Sequence, residues 1–409
     1  MKPREIIKKV VIIIYNIFLK VLPVNNNVIF FESNVGRNYS SNPKYVYEEM
    51  VKQGLDKKFK CVWSLEDLSL EIPGNHKKVK RARLWYLYYL ATAKIWVCDT
   101  RQPAFIVKRP ETVYIQLWHG TPLKKLAMDM EVISMSEGME LSEYKKLFQE
   151  NTKTWDYLIS QSDYTTEKFK SCFAFEKNIL ETGFPRNDIL FDKNDEKSIK
   201  SLKNKYNLPQ DKKVILYAPT WRDDEFYENG IYKFSSQIDL DILQKELGDT
   251  HIILLKLHYL VKDSLDWSKY AGFVYECDHL GDIQELYLIS DYLITDYSSV
   301  MFDYALLRRP MIIYAYDYEK YRDNLRGFYF DIFEEFPGPI VRNSQDLMES
   351  IKNYDSADYE EKYMKFLDKF TRFDKGHASS MIVDLILEKT KNSSKGLKNE
   401  KKHKGANHG

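Results

Sequence analysis

Between residues 28 and 314, short apolar runs rich in β-branched residues alternate with stretches of helical periodicity, and this alternation restricts the fold more than any other feature. Residues 28–31, 60–63, 95–98, 113–117, 157–160 and 179–182 read as strands apolar on both faces, as a parallel sheet covered on both sides requires. Helical patterns at 42–51, 84–93 and 163–173 fall between them. A second series of strands follows at 214–218, 251–255, 273–275, 292–295 and 311–314, with helices at 239–247, 283–290 and 300–307. Strand–helix alternation implies an α/β fold with parallel sheets. The polar stretch 192–208 divides the two series, and 409 residues exceed what one small core needs. The expected architecture is two doubly wound, Rossmann-like domains, residues 25–195 and 209–375, facing a cleft at the carboxyl ends of their strands, where ligands bind. The segment 376–390 is expected to be a helix packing back on the first domain, and the Lys-, Asn-, Gly- and Ser-rich 391–409 to be disordered.

Charge narrows the partners. The chain has 61 basic and 60 acidic residues, a balance that argues against a nucleic-acid binder. The sum conceals segregation. Residues 1–24 place Lys2, Arg4, Lys8, Lys9 and Lys20 around an apolar run, 10–19, that only Asn16 interrupts. That run is well short of the roughly 20 residues a spanning helix needs, and no small-residue cleavage site follows it. A surface-lying anchor helix, a short signal-anchor and a core helix remain, and the positive flanks favour contact with anionic lipid. A second basic cluster, residues 77–83, runs into Leu84-Trp85-Tyr86-Leu87-Tyr88-Tyr89-Leu90, which fits either a helix at headgroup level or a solvated turn before a buried helix. The aromatic share of 14% suits a surface that meets something other than water. Cys61, Cys98, Cys172 and Cys277 are too scattered for a metal site and read as reduced core residues of a cytoplasmic protein.

The chemistry concentrates at strand ends. Gln116-Leu117-Trp118 leads into His119-Gly120-Thr121-Pro122, where Thr121 suits a helix N-cap and Pro122 its first turn. His119 would then face the cleft near Lys124 and Lys125 as a general base, the plainer alternative being a satisfied loop histidine. Thr295-Asp296-Tyr297-Ser298-Ser299 precedes an apolar helix, an arrangement suited to a diphosphate or to capping alone. Ala218-Pro219-Thr220-Trp221-Arg222 offers Arg222 as a bidentate phosphate donor, and the acidic residues 223–225 read as solvated rather than metal-binding. His258, just past a strand, would neutralise a phosphate or serve structure. Gly183-Phe184-Pro185-Arg186-Asn187-Asp188 forms a turn between domains or lines the cleft, and the loop 36–43 opens a helix that would grip an acceptor phosphate. Nucleophile-elbow, zinc-protease, Walker and dinucleotide motifs are absent from the sequence. Anion sites facing a histidine across a cleft fit transfer of a phosphate-linked group from an activated nucleotide.

Gln116-Leu117-Trp118-His119-Gly120-Thr121-Pro122-Leu123-Lys124-Lys125-Leu126 resembles the signature of the CDP-glycerol glycerophosphotransferases of teichoic acid synthesis. The segments 218–222, 183–188, 295–299 and Arg326-Gly327-Phe328-Tyr329 are similar to the family's other motifs, and the resemblance covers residues 28–375. It implies a GT-B-like enzyme, peripheral on the cytoplasmic face of a Gram-positive membrane, that moves glycerol phosphate from CDP-glycerol to a lipid-linked acceptor and releases CMP. By that resemblance His119 is the catalytic base and His258 a second catalytic histidine near the donor diphosphate, although Tyr259 stands where the family commonly has proline. Thr220, Arg222, Asp296, Ser298, Ser299, Arg326 and Gly327 would bind the donor, and Gly120, Thr121, Lys124, Arg186 and Asp188 the acceptor or the cleft wall. No metal ligand and no cofactor is required, and Mg2+ and a homo-oligomer are both compatible with the sequence. The long N-terminal region of some polymerases is not expected here, which implies a catalytic unit with an anchor. The rivals are a CDP-ribitol or capsular polyol-phosphate transferase, a nucleotide-sugar glycosyltransferase, and an inert cell-wall assembly partner.

Overall fold

The computed structural model describes residues 3–131, 140–220, 226–227, 231–232, 237–257, 267–277, 282–321 and 327–403, with backbone alone at 3–8, 226–227, 231–232 and 392–403. Two parallel sheets form the frame. The first contains β1 (Asn25–Glu32), β2 (Lys60–Leu65), β3 (Lys77–Lys80), β4 (Ala93–Cys98), β5 (Val113–Gln116), β6 (Tyr157–Ile159) and β7 (Asn178–Leu180), in the order β3-β2-β1-β4-β5-β6-β7. The second contains β8 (Lys213–Ala218), β11 (His251–Leu255), β12 (Val274–Glu276), β13 (Tyr292–Thr295), β14 (Met311–Tyr314) and β15 (Ile340–Val341), in the order β12-β11-β8-β13-β14-β15. A small antiparallel pair, β9 (Phe226–Tyr227) and β10 (Ile231–Tyr232), lies between β8 and β11 in the chain. Each large sheet reverses its strand order once, at β1/β4 and at β8/β13, and such switch points are where doubly wound sheets open a crevice for ligand.

Both large sheets are covered on both faces. Val28 and Phe30 face a core shared with Trp96, Tyr114 and Trp155, while Ile29 and Phe31 face one shared with Trp63, Ile95 and Val97. Alternation of two apolar sets along one strand is why the strands read as continuous apolar runs. In the second sheet Val214 and Leu216 point into one core, and Ile215 and Tyr217 into the other. All four cysteines are free and buried.

Four local expectations need correction. The basic cluster at 77–83 is a turn only at 81–83, before the largely buried helix that follows: Lys77–Lys80 forms the edge strand β3, parallel to β2. Lysines on an edge strand keep their charges in water and discourage further pairing, so the segment looks like a loop in sequence. The polar stretch 192–208 contains a helix, Glu196–Lys205, started by Asp195, whose side chain accepts from Ser198 N. Helices Ser344–Lys352 and Glu360–Thr371 follow the last strand, and their amphipathic faces escaped the sequence pattern. The final helix runs Ala378–His403, beyond residue 390, because Lys- and Glu-rich sequence without proline propagates a helix once it is started. Ile382, Val383 and Ile386 of this helix pack into the same core as Ile29, Phe31 and Ile95, so the chain returns to its first sheet.

The N-terminal helix, Pro3–Val21, is amphipathic. Val11, Ile14, Tyr15, Phe18 and Leu19 pack on the first core, and Tyr15 donates to the Val107 carbonyl at 2.7 Å. Val10, Ile13, Ile17 and Val21 on the other side are exposed, as are Leu84 and Trp85 at the start of the adjoining helix Leu84–Thr92. Among the described residues no helix is long and apolar enough to cross a membrane.

Candidate active site

His119 follows the end of β5, in a turn that the surrounding chain holds from several sides. Trp118, the residue before it, has φ +47°, a left-handed conformation that costs a non-glycine residue energy and persists only where neighbours enforce it. Gln116 Oε1 accepts from Trp118 N at 2.9 Å. Asn42 Nδ2 donates to the carbonyls of Leu117 and Trp118, both at 3.0 Å, and Arg186 Nη1 donates to the His119 carbonyl at 2.7 Å. The imidazole stacks on the Trp118 ring at 4.3 Å. Its Nδ1 lies 2.8 Å from the Asp99 carbonyl oxygen. A carbonyl only accepts, so Nδ1 carries the proton and Nε2 is left with its lone pair. His119 is exposed. Desolvation by the protein packed around it, with smaller contributions from the cations Arg186 and Arg101, pulls its pKa below 6.5, which favours the neutral ring at pH 7. A neutral imidazole with a free Nε2 at the floor of a cleft is equipped to take a proton.

The facing wall comes from the second switch point. Asp296 is buried after β13, and its Oδ1 accepts from Thr220 N at 2.8 Å, tying the ends of β8 and β13 together. Ser298 and Ser299 follow, half-exposed. The helix they precede is short, Val300–Tyr304 with a further turn Ala305–Leu307, so the serine hydroxyls and turn amides outweigh any helix dipole. This turn approaches the His119 turn closely: a Cβ on Gly120 would lie 2.9 Å from Ser299 Oγ. Glycine at 120 is what lets the two walls meet. Arg186 spans the same junction, its Nη2 2.6 Å from Asp303 Oδ2. Asn187 Nδ2 donates to the other oxygen, Asp303 Oδ1, at 3.0 Å.

Residues 13–388 match the family CDP-Glycerol:Poly(glycerophosphate) glycerophosphotransferase. The chain belongs to this family. It is 47% identical over 368 residues to a teichoic acid poly(glycerol phosphate) polymerase of Staphylococcus epidermidis, covering 89% of this chain and 51% of that protein. To the polymerase of the same name from Bacillus spizizenii it is 41% identical, covering 95% of this chain and 98% of that one. The chain spans about half the length of the first curated relatives it matches, those of Bacillus subtilis and S. epidermidis. The solved wall teichoic acid polymerase TagF superposes with a TM-score of 0.89 at 43% identity, covering 95% of this chain and 96% of that one. The fold is GT-B-like.

In this member of the glycerophosphotransferase family the remaining expected site residues divide. Thr121 starts no helix; its hydroxyl bonds Gln161 and Thr165, and residues 123–126 lie outside any helix. Their backbone is satisfied by the Gly327–Tyr329 segment instead: Lys125 N donates to Gly327 O at 2.9 Å and Tyr329 N to Leu123 O at 3.0 Å. Thr121 therefore offers His119 no helix terminus. Lys124 forms a bridge with Phe328 and lies over the Tyr321 ring at 5.0 Å. Arg186 is buried in its ion pair, and Asp188 accepts from Ala378 N and Ser379 N at 3.0 and 2.7 Å, anchoring the last helix rather than facing the cleft. Arg222, His258 and Arg326 lie outside the described residues. Sequence reasoning missed Asp99, Asp303 and Asp374, which reach the site from positions remote in the chain, and placed Asn42 only within the loop 36–43 without foreseeing its bonds to the carbonyls of Leu117 and Trp118.

Proposed function

We propose that the chain transfers glycerol phosphate from CDP-glycerol to a hydroxyl of a lipid-linked, teichoic-acid-type acceptor, releasing CMP. The observation that carries it is the close approach of the His119–Gly120 turn, with the ring held by the Asp99 carbonyl, to the Ser298–Ser299 turn. The donor occupies the second half, residues 209–375, with its diphosphate at Ser298 and Ser299, and by the family resemblance Arg222, His258, Arg326 and Gly327 are further candidates for donor binding. The acceptor occupies the first half, residues 25–195. His119 Nε2 takes the acceptor hydroxyl proton as that oxygen attacks the β-phosphorus. The new phosphodiester bond forms as the bond to the bridging oxygen breaks, and the electron pair leaves with CMP.

Relatives named for glycerol phosphate share 41–47% identity with this chain, against 30–33% for those named for ribitol phosphate, which supports the glycerol donor. A variant of TagF has been solved after soaking with CDPG. The exposed apolar stripe Val10, Ile13, Ile17 and Val21, with Leu84 and Trp85, supports peripheral attachment to the cytoplasmic face of the membrane. Incubation with CDP-glycerol or CDP-ribitol and a defined lipid acceptor tests the assignment. CMP release with chain extension is expected from CDP-glycerol, and release from CDP-ribitol alone would overturn it.

A further inference from the structure

The segment 99–112 between β4 and β5 touches the catalytic turn at one end and the N-terminal helix at the other. At the first end the Asp99 carbonyl holds His119, and Asp99 Oδ1 accepts from Asn34 N at 2.8 Å. Thr100 Oγ1 accepts from Val35 N, and Thr100 O accepts from Tyr114 Oη at 3.1 Å. Gln102 Nε2 donates to Glu32 Oε1 at 2.9 Å, and Asn151 Nδ2 donates to Gln102 O at 2.9 Å. At the far end Tyr15 and Arg109 tie the segment to the helix with the exposed apolar stripe.

Arg101 sits between these fixed residues. Its guanidinium lies 4.0 Å from the Phe148 ring centroid and 6.0 Å from that of Tyr144, both on the helix Leu141–Thr152. The other buried or half-buried arginines among the described residues are committed. Arg81 pairs with Glu32 and Arg186 with Asp303, while Arg109 and Arg309 donate to backbone carbonyls. No carboxylate lies against Arg101 among the described residues, and it is half-buried with part of its surface open. Stacking on an aromatic face fixes the guanidinium plane while leaving its N–H fork to bond an oxyanion. Arg101 stands two residues after Asp99, whose carbonyl holds the His119 ring.

We propose that Arg101 binds a phosphodiester of the acceptor, holding the chain end through its own anionic backbone beside His119. The assignment rests on the transfer reaction proposed above. The 99–112 segment thereby guides an acceptor tethered at the membrane face to the base.

Two soluble acceptors test it, one ending in a glycerol phosphodiester and its counterpart without phosphate, assayed with the wild type, Arg101→Ala and Arg101→Lys. Arg101→Ala should raise KM for the phosphodiester acceptor roughly ten- to a hundredfold, as loss of a charge-assisted pair does, and leave KM for CDP-glycerol and for the phosphate-free acceptor within about twofold. Arg101→Lys should restore part of the loss and guards against a fold defect in the alanine variant. An unchanged acceptor KM, or a parallel rise for both acceptors, overturns the proposal. Calorimetric titration with a short glycerol phosphate oligomer and no donor gives an independent reading. Binding by wild type and not by Arg101→Ala is expected, and equal binding overturns it. If wild type releases no CMP, the transfer assignment fails, while the oligomer titration still decides Arg101.

Discussion

His119 donates Nδ1–H to a backbone carbonyl rather than to a carboxylate, so its tautomer is fixed without a countercharge that would favour the imidazolium. Desolvation by the surrounding protein lowers its pKa from 6.5, which would keep a base at this position competent as pH falls through neutrality. His119→Ala should lower kcat by roughly 10²–10⁴ with the fold intact, read as CMP release beside an unchanged melting curve. In wild type kcat/KM should hold from pH 7.5 to about 6.5 and fall only on further acidification, in the direction of the depressed pKa. Asp374 titrates the other way. Its Oδ1 accepts from Phe184 N and Asn187 Nδ2, its Oδ2 has no hydrogen-bond partner among the described residues, and burial raises its pKa from 3.8 to about 8. The folded state therefore holds a proton that the unfolded chain releases near pH 4, so this group's stabilisation fades as pH rises from there through about 8. Asp374→Asn keeps the Oδ1 acceptor and removes the titration. Its melting temperature should drop less than that of wild type between pH 6 and 8.5, and identical drops would show that Asp374 is ionised throughout.

The junction between the two halves depends on a few elements set edge to edge. The loop after β7 delivers Arg186 and Asn187, the helix Val300–Tyr304 delivers Asp303, and Lys44 on the helix Ser41–Lys52 makes a second buried pair with Asp282 at 3.4 Å. Asp303→Ala leaves Arg186 buried without its counter-ion and should cost about 3–5 kcal/mol in denaturant unfolding, with a fall in kcat because the His119 carbonyl shares the same guanidinium. His119 and Ser298–Ser299 stood out as candidates in the sequence because strand ends in an α/β pattern can be located from apolar runs, and polar residues there are conspicuous. The sequence did not disclose Asp303, which lies inside an apolar helix and reads as an ordinary helical acid until Arg186 arrives from 117 residues away. Thr121-Pro122 carried the local chemistry of a helix start, yet tertiary pairing with residues 327–329 claimed the backbone of Leu123 and Lys125 that follows. The edge strand of lysines was hidden for the converse reason: its pairing is regular, and its composition is that of a loop.

Across the whole molecule, near-zero net charge coexists with an exposed apolar stripe, the surface proposed above to meet lipid. Ile13 and Ile17 are 58% and 52% exposed on the N-terminal helix, whose opposite side is anchored by the buried Tyr15. Ile13→Asp with Ile17→Asp should therefore spare the fold while sharply reducing co-sedimentation with anionic vesicles, measured beside the melting temperature. Unaltered partition would assign the attachment to another surface. Two doubly wound sheets were legible from periodicity alone, but the return of the last helix to the first sheet was legible only as a leftover periodic segment. That return affects biosynthesis. One face of the first sheet, bearing Ile29, Phe31, Ile95 and Val97, is completed by Ile382, Val383 and Ile386. A nascent chain on the ribosome thus carries a partly uncovered apolar face through the synthesis of the entire second half, and the half made first is the last to be sealed.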